Sequence, residues 1–371
     1  MTRTRSLHTA SRAARLLPAV VLALAALGAG VARADTSVLT KDGTLYEVFT
    51  ARQADVAPAE LVSRDNPVLA LRTTNPDGTQ SVEVIPETAD ADFELPGDIE
   101  YEESTRTVFT VYTKFQGIQS DVRFALHRGG TWEEQSLVPS IGFYFSLNPR
   151  ILVTRQQYVV ADADGNPVQK WRSILSLVWW EETSVSQARY AAVFVEDGVL
   201  ALDSITAYDL NEMTGSSGAT DSTGLPLSAY TYPTVHPDPS TNGGVRVCFA
   251  NLADQQQHVL QLTFPDDLTK LTPPPGGTTA PAGDPSFARG HTPVGRQVGA
   301  FPIDRDIQSA SPVETALSRA GVPTFYWGDG DKIRYIRSDS PEGTPPSALS
   351  LRTDLPVERA RSLVRDMAAR D

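Results

Sequence analysis

The chain has 371 residues, 45 Asp and Glu against 32 Lys and Arg, a formal net charge of −13 and one cysteine. At 40% hydrophobic and 21% charged it has the composition of a folded globular protein, which excludes a disordered chain. Its acidity argues against nucleic acid and against anionic membrane surfaces, both of which need a basic footprint on the protein.

The N-terminus carries Arg3, Arg5, Arg12 and Arg15, then an apolar run over 16–31, then Ala32-Arg33-Ala34. A basic start, a short apolar stretch and a small-x-small site are the pattern of a secretory signal peptide. The run is shorter than the ~20 residues a membrane-spanning helix needs. Residues 1–34 are therefore read as a signal peptide, and the mature protein as secreted or periplasmic, with no membrane span after cleavage. Losing five arginines and no acid leaves 27 basic and 45 acidic residues, a net −18.

Beyond residue 40 the dominant signal is period-2 alternation rich in Val, Ile, Thr and aromatics, broken by turn residues. Residues 68–74 turn at Asn75-Pro76-Asp77-Gly78 into 81–85, and 107–113 turn near Gln116-Gly117 into 122–126. Residues 158–160 run into the turn Asp162-Ala163-Asp164-Gly165-Asn166. Residues 245–251 pair with 258–264, and 323–327 turn at Gly328-Asp329-Gly330-Asp331 into 333–336. Cys248 sits inside one of these alternating strands, which predicts a buried, inert thiol and no disulfide.

Four prolines each stand 12 residues before a strand: Pro96 before Val108, Pro139 before Ile151, Pro233 before Val245 and Pro312 before Thr324. A unit of four strands repeated every ~40–50 residues is the spacing of a β-propeller blade. The predicted fold is all-β: a six-bladed propeller of four-stranded antiparallel blades over 35–352. The blades run 36–95, 96–138, 139–172, 173–232, 233–299 and 300–352, with insertions near 211–224 and 271–285. Ser311-Pro312-Val313-Glu314 has the form of a helix capping box, but the shared proline spacing favours a strand there. Residues 353–371, with Ala360, Leu363, Val364 and Met367 on one face, read as a short C-terminal helix.

The stretch Arg123-Phe124-Ala125-Leu126-His127-Arg128-Gly129-Gly130-Thr131-Trp132 resembles an Asp-box repeat of the sialidase-like propellers, whose pattern is Ser-x-Asp-x-Gly-x-Thr-Trp. Gly129, Thr131 and Trp132 match; Ala125 and His127 stand where Ser and Asp belong. The segment beginning Arg334-Tyr335 is a weaker echo without the tryptophan. The resemblance implies a propeller and a Trp132 packed between sheets. It implies no sialidase chemistry, because the family's early Arg-Ile-Pro motif is missing. Arg123, Arg189 and Arg334 recur at one repeat offset, as a shared structural position would.

No phosphate loop, dinucleotide fingerprint or serine-nucleophile motif occurs, and the four histidines past the leader, His127, His236, His258 and His291, show no ligand spacing. No cofactor or metal is therefore expected. The Asp162 turn begins like a calcium loop, but Pro167 and Ser173 occupy its essential Gly and Glu positions. Trp179-Trp180 ends an apolar strand, so alternation turns one indole outward, where it could stack on a sugar. Acidic doublets such as Glu133-Glu134 and Glu181-Glu182 point to opposite strand faces and cannot flank one glycosidic bond.

Two or three places after the blade prolines stand Asp98, His236 and Glu314, the candidate ligand-binding residues of a central pocket, beside Val235 and Gly142 at the same offsets. The expected function is a monomeric, non-catalytic module that binds a protein or glycan at its loop face or central pocket. The alternatives are a carbohydrate-active enzyme whose acids come from different blades, and a structural envelope component. Export is tested by mass spectrometry of the protein recovered outside the cytoplasm: Asp35 is expected at its N-terminus, and an intact Met1 in a cytosolic fraction contradicts the reading.

Overall fold

Among the described residues, pairing between strands adjacent in sequence builds the main path of each sheet. The computed structural model describes residues 37–52, 67–85, 93–116, 119–136, 145–182, 186–201, 207–213, 233–251, 256–270, 290–302, 314–317, 323–329, 332–337 and 347–350, all within the unit Asp35–Asp371. The first sheet is β1 (Ser37–Leu39), β2 (Leu45–Arg52), β3 (Pro67–Thr74) and β4 (Gln80–Val84). The second is β5 (Phe93–Glu102), β6 (Thr107–Gln116), β7 (Gln119–Arg128) and β8 (Thr131–Ser136). The third is β9 (Phe145–Ala161), β10 (Pro167–Glu182), β11 (Ser186–Glu196) and β12 (Val199–Ala201), with β13 (Tyr208–Asp209) also on β11. The fourth is β14 (Thr234–Pro237), β15 (Val245–Asn251), β16 (Gln256–Thr263) and β17 (Val294–Pro302). The fifth is β18 (Glu314–Leu317), β19 (Pro323–Asp329), β20 (Lys332–Arg337) and β21 (Ser347–Ser350).

The described residues are thus nearly all β, in antiparallel meanders whose first strand is an edge. The helical segments among them include α1 (Leu210–Met213) and a 3-10 turn at Leu268–Lys270. No helix among them is long and apolar enough to cross a membrane. The proline spacing at Pro312 is realised as a strand, β18, and not as a capped helix. Arg123, Arg189 and Arg334 lie on β7, β11 and β20, each the third strand of its sheet, so their recurrence is positional. The C-terminal segment 353–371 lies outside the described residues, as do 214–232 and 271–289, which hold most of the two expected insertions.

One expectation fails. Residues 139–172 and 173–232 were to form separate blades, but β9 and β10 pair from Ala161↔Pro167 to Phe145↔Glu182, placing both segments in one sheet. The Asp162–Asn166 turn is the reason. Asp162 N donates to Asn166 O at 2.9 Å, and Asp162 Oδ1 accepts from the N–H groups of Asp164 and Asn166. The chain is folded straight back into the neighbouring strand before another sheet can start.

The sheets stack face to face in chain order. Val48, Leu69, Leu71 and Ile85 of the first pack on Ile99, Val108, Tyr112 and Ala125 of the second. Phe109, Val111, Phe124 and Leu126 of the second pack on Leu175, Leu177, Trp179 and Val193 of the third. Ile174, Val178, Tyr190 and Phe194, on the other face of the third, pack on Val247, Phe249, Leu260 and Leu262 of the fourth. Cys248 and Val259 of the fourth meet Ile336 of the fifth, so the thiol is buried as expected. Period-2 geometry produces this: odd residues of β10 face one neighbour and even residues the other.

The first strands of the second and third sheets come into contact. Both are irregular there: β5 bulges at Gly97, between Pro96↔Tyr112 and Asp98↔Val111, and β9 bulges at Asn148-Pro149 opposite Trp179. A Cβ on Gly97 would lie 2.5 Å from Val111 O and 2.7 Å from Pro149 Cγ, so only glycine permits the approach. Asp98 joins the two strands: its carboxylate accepts from Ile99 N (3.0 Å) on its own strand and from Ile151 N (3.1 Å) on β9.

Trp132 packs against the core between the first and second sheets, as its motif implies, but it is only half-buried, with its ring 4.8 Å from His127. Trp179 is fully buried. Trp179→Ala is therefore expected to cost ~3–5 kcal/mol in chemical denaturation, and Trp132→Ala clearly less. Equal losses would contradict this packing.

Candidate functional site

The second and third sheets part at one end, where the β5–β6, β7–β8 and β11–β12 turns lie, and leave a cleft of about 230 Å³. Its floor is apolar and buried: Phe109 and Leu126 from the second sheet, Val195 from the third. Its rim is polar, with Thr105, Arg128 and Glu133 on one side and the β11–β12 turn at Gly198 on the other.

The turns that frame it are locally determined. Gly129 (φ +59°), Gly130 (φ +80°) and Gly198 (φ +74°) occupy left-handed positions that favour glycine, and Arg106 (φ +54°) and Asp197 (φ +50°) share that region. Thr131 Oγ1 donates to Arg128 O at 2.8 Å, closing the Asp-box-like turn from within.

Glu102 fixes the 103–106 turn. Its buried carboxylate accepts from Ser104 N and Oγ, from Thr105 N (2.8 Å) and Oγ1 (2.7 Å), and from Ser173 Oγ (2.7 Å) on β10. Burial alone would raise its pKa; the hydroxyl donors of Ser173, Thr105 and Ser104 outweigh that and hold it at about 2. The same carboxylate thus shapes the cleft rim and ties the second sheet to the third.

A second polar cluster ties the third sheet to the fourth. The side chain of Arg172 is wholly buried. It donates to Gln156 Oε1 (2.8 Å), Glu196 Oε1 (2.9 Å), Pro265 O (2.9 Å) and Gly290 O (3.1 Å), with its guanidinium 4.8 Å from both the Tyr158 and Phe194 ring centroids. His291 stacks on Phe194 at 3.9 Å and lies 3.2 Å from Glu196 Oε1. Burial opposes the Glu196 charge, but His291 and Arg172 hold its pKa below the ordinary value. With its donors spent on carbonyls and a carboxylate, the guanidinium works as a strut between sheets.

Asp98, His236 and Glu314 fall on β5, β14 and β18, the first strands of three different sheets. Asp98 is partly buried and bound to backbone as above, and His236 Nε2 lies 3.1 Å from Thr234 Oγ1. Among the described residues no group of three or more His, Cys, Asp or Glu is placed to hold a metal ion. Pro96 itself lies within β5, not ahead of it.

The expected outward tryptophan is absent from the 179–180 pair: both indoles are buried. Trp179 packs in the core shared with the second sheet, which covers the face that alternation gives it. Among the described residues the exposed tryptophan is Trp171, 54% accessible, which the apolar-run reading passed over. Its sequence signal is its place in the polar half of the same strand, Gln169-Lys170-Trp171-Arg172, just after the Asp-Gly turn.

No protein-family model and no curated protein sequence matches the chain. Among solved structures, a "putative glycoside hydrolase" from Parabacteroides distasonis ATCC 8503 aligns over 82% of this chain and 86% of its own, at 11% identity and a TM-score of 0.25. That superposition is too loose to carry an argument about activity.

The Glu102 geometry has a pH consequence. A carboxylate whose pKa is depressed on folding stabilises the protein fully above its ordinary value of 4.5, and that contribution is lost as pH falls towards about 2. Glu102→Gln is expected to lower stability at neutral pH and to flatten the loss of stability between those values, read by denaturant titration across pH. An unchanged acid profile contradicts the assignment.

Proposed function

We propose that the protein is an exported β-propeller of the sialidase-like type, its blades the stacked sheets, that serves as a non-catalytic binding module for a protein or glycan. Several features support the propeller: each first strand is an edge, successive sheets pack face to face, and β9 lies against both β5 and β14. Asp98, His236 and Glu314, one on each of three first strands, are the proposed ligand-facing residues along the axis.

One observation carries the non-catalytic reading. Among the described residues, the buried or partly buried carboxylates with shifted pKa values, Glu102, Glu196 and Asp238, are all held below their ordinary range by donors within their own hydrogen-bond networks. Glycoside cleavage needs the opposite, a carboxyl kept protonated near neutral pH and a second one positioned across the bond. Acids held as structural anions suit a scaffold that binds and does not cut.

A panel of chromogenic glycosides incubated with the purified mature protein is expected to show no release of the reporter. Hydrolysis abolished by substituting one acid overturns the reading.

A further inference from the structure

The end of the third sheet presents a surface that the axial reading leaves unused. The β9–β10 hairpin is long, 17 and 16 residues, and its β10 arm carries Trp171 beyond the apolar core. Alternation places Trp171 on the same face of β10 as Ser173, and Ser173 donates to Glu102, which fixes Thr105 at the cleft rim. On the other side of β10, Arg172 pairs with Glu196, so the register brings Trp171 next to Asp197, in the turn whose Gly198 forms the opposite rim. Trp171 therefore stands beside the cleft, two residues along β10 from Ser173. Arg155 lies 5.3 Å from the indole centroid and backs the ring, while more than half of the residue stays open to solvent.

Resting on the binding-module reading, we infer that this cleft and Trp171 together form a binding site for a neutral oligosaccharide. A sugar ring has an apolar C–H face and a periphery of hydroxyls. The indole offers a flat amphipathic platform for the first; Thr105, Arg128 and Glu133 offer donors and acceptors for the second, over the buried floor of Phe109, Leu126 and Val195. The cleft is smaller than the ~300–1,000 Å³ pockets that enclose drug-sized ligands, so it takes a single sugar unit while the adjoining unit lies on Trp171. Neutrality follows from charge: Arg128 and Glu133 oppose each other at the rim, and a chain of net charge −13 repels polyanions.

The test is isothermal titration of the mature protein with cellohexaose, xylohexaose, mannohexaose and maltohexaose, with a heparin hexasaccharide as the acidic counterpart. Saturable binding of at least one neutral hexasaccharide and none of heparin is expected. Trp171→Ala should weaken that binding at least about tenfold at an unchanged denaturation midpoint, and Trp171→Phe should restore most of it. Arg128→Ala with Glu133→Ala should weaken it as well. Absence of binding across the neutral panel, or binding indifferent to Trp171→Ala, overturns the inference. A signal that survives Trp171→Ala and disappears in His236→Ala/Glu314→Ala at an unchanged denaturation midpoint places the ligand at the axis, overturning the cleft site while leaving the binding-module reading intact.

Discussion

β10 is apolar on both faces, and the arrangement of the described body turns on that property. Leu175, Leu177 and Trp179 project into the core shared with the second sheet, and Ile174 and Val178 into the core shared with the fourth. An antiparallel sheet with one wet face would show alternating polarity; this strand shows almost none over 174–180. Burying both faces requires a sheet on each side, so face-to-face stacking follows from the composition of one strand. Without a disulfide, the cores between sheets supply the cohesion that a smaller exported domain takes from covalent links.

Polar groups lie where these cores end. Glu102 and Ser173 close the interface between the second and third sheets, and Arg172, Glu196 and His291 close the one between the third and fourth. An apolar contact transmits no direction, whereas a carboxylate with several donors or a guanidinium with four acceptors fixes the register of two sheets. Removing one partner would leave the other buried and unpaired, which costs more than the pair contributes. Asp98 does the same between first strands, bridging Ile99 N and Ile151 N where Gly97 lets the backbones meet.

These struts also shape the surface. The cleft exists because the second and third sheets diverge beyond their shared core, and its rim is held by turns fastened through Glu102 and through the Lys170–Asp197 pair. A preorganised rim loses little entropy on binding, which suits recognition of a flexible saccharide. The donors that fasten Glu102 also hold its carboxylate below the ordinary carboxylate range.

Much of this was legible in the sequence. Alternation located the hairpins at 68–85, 107–126, 245–264 and 323–336, placed Cys248 in a buried strand, and put Arg123, Arg189 and Arg334 at one repeat position, because strand period and turn chemistry are local properties of the chain. Tertiary structure alone decided the rest. Whether 145–182 makes one sheet or parts of two depends on which strand β10 finds as a partner, and an apolar strand pairs equally well by pattern with either neighbour. Which tryptophan faces water depends on what covers each face of the sheet. Alternation promised one outward indole at 179–180, but both are buried, while Trp171, on the same strand, stays exposed.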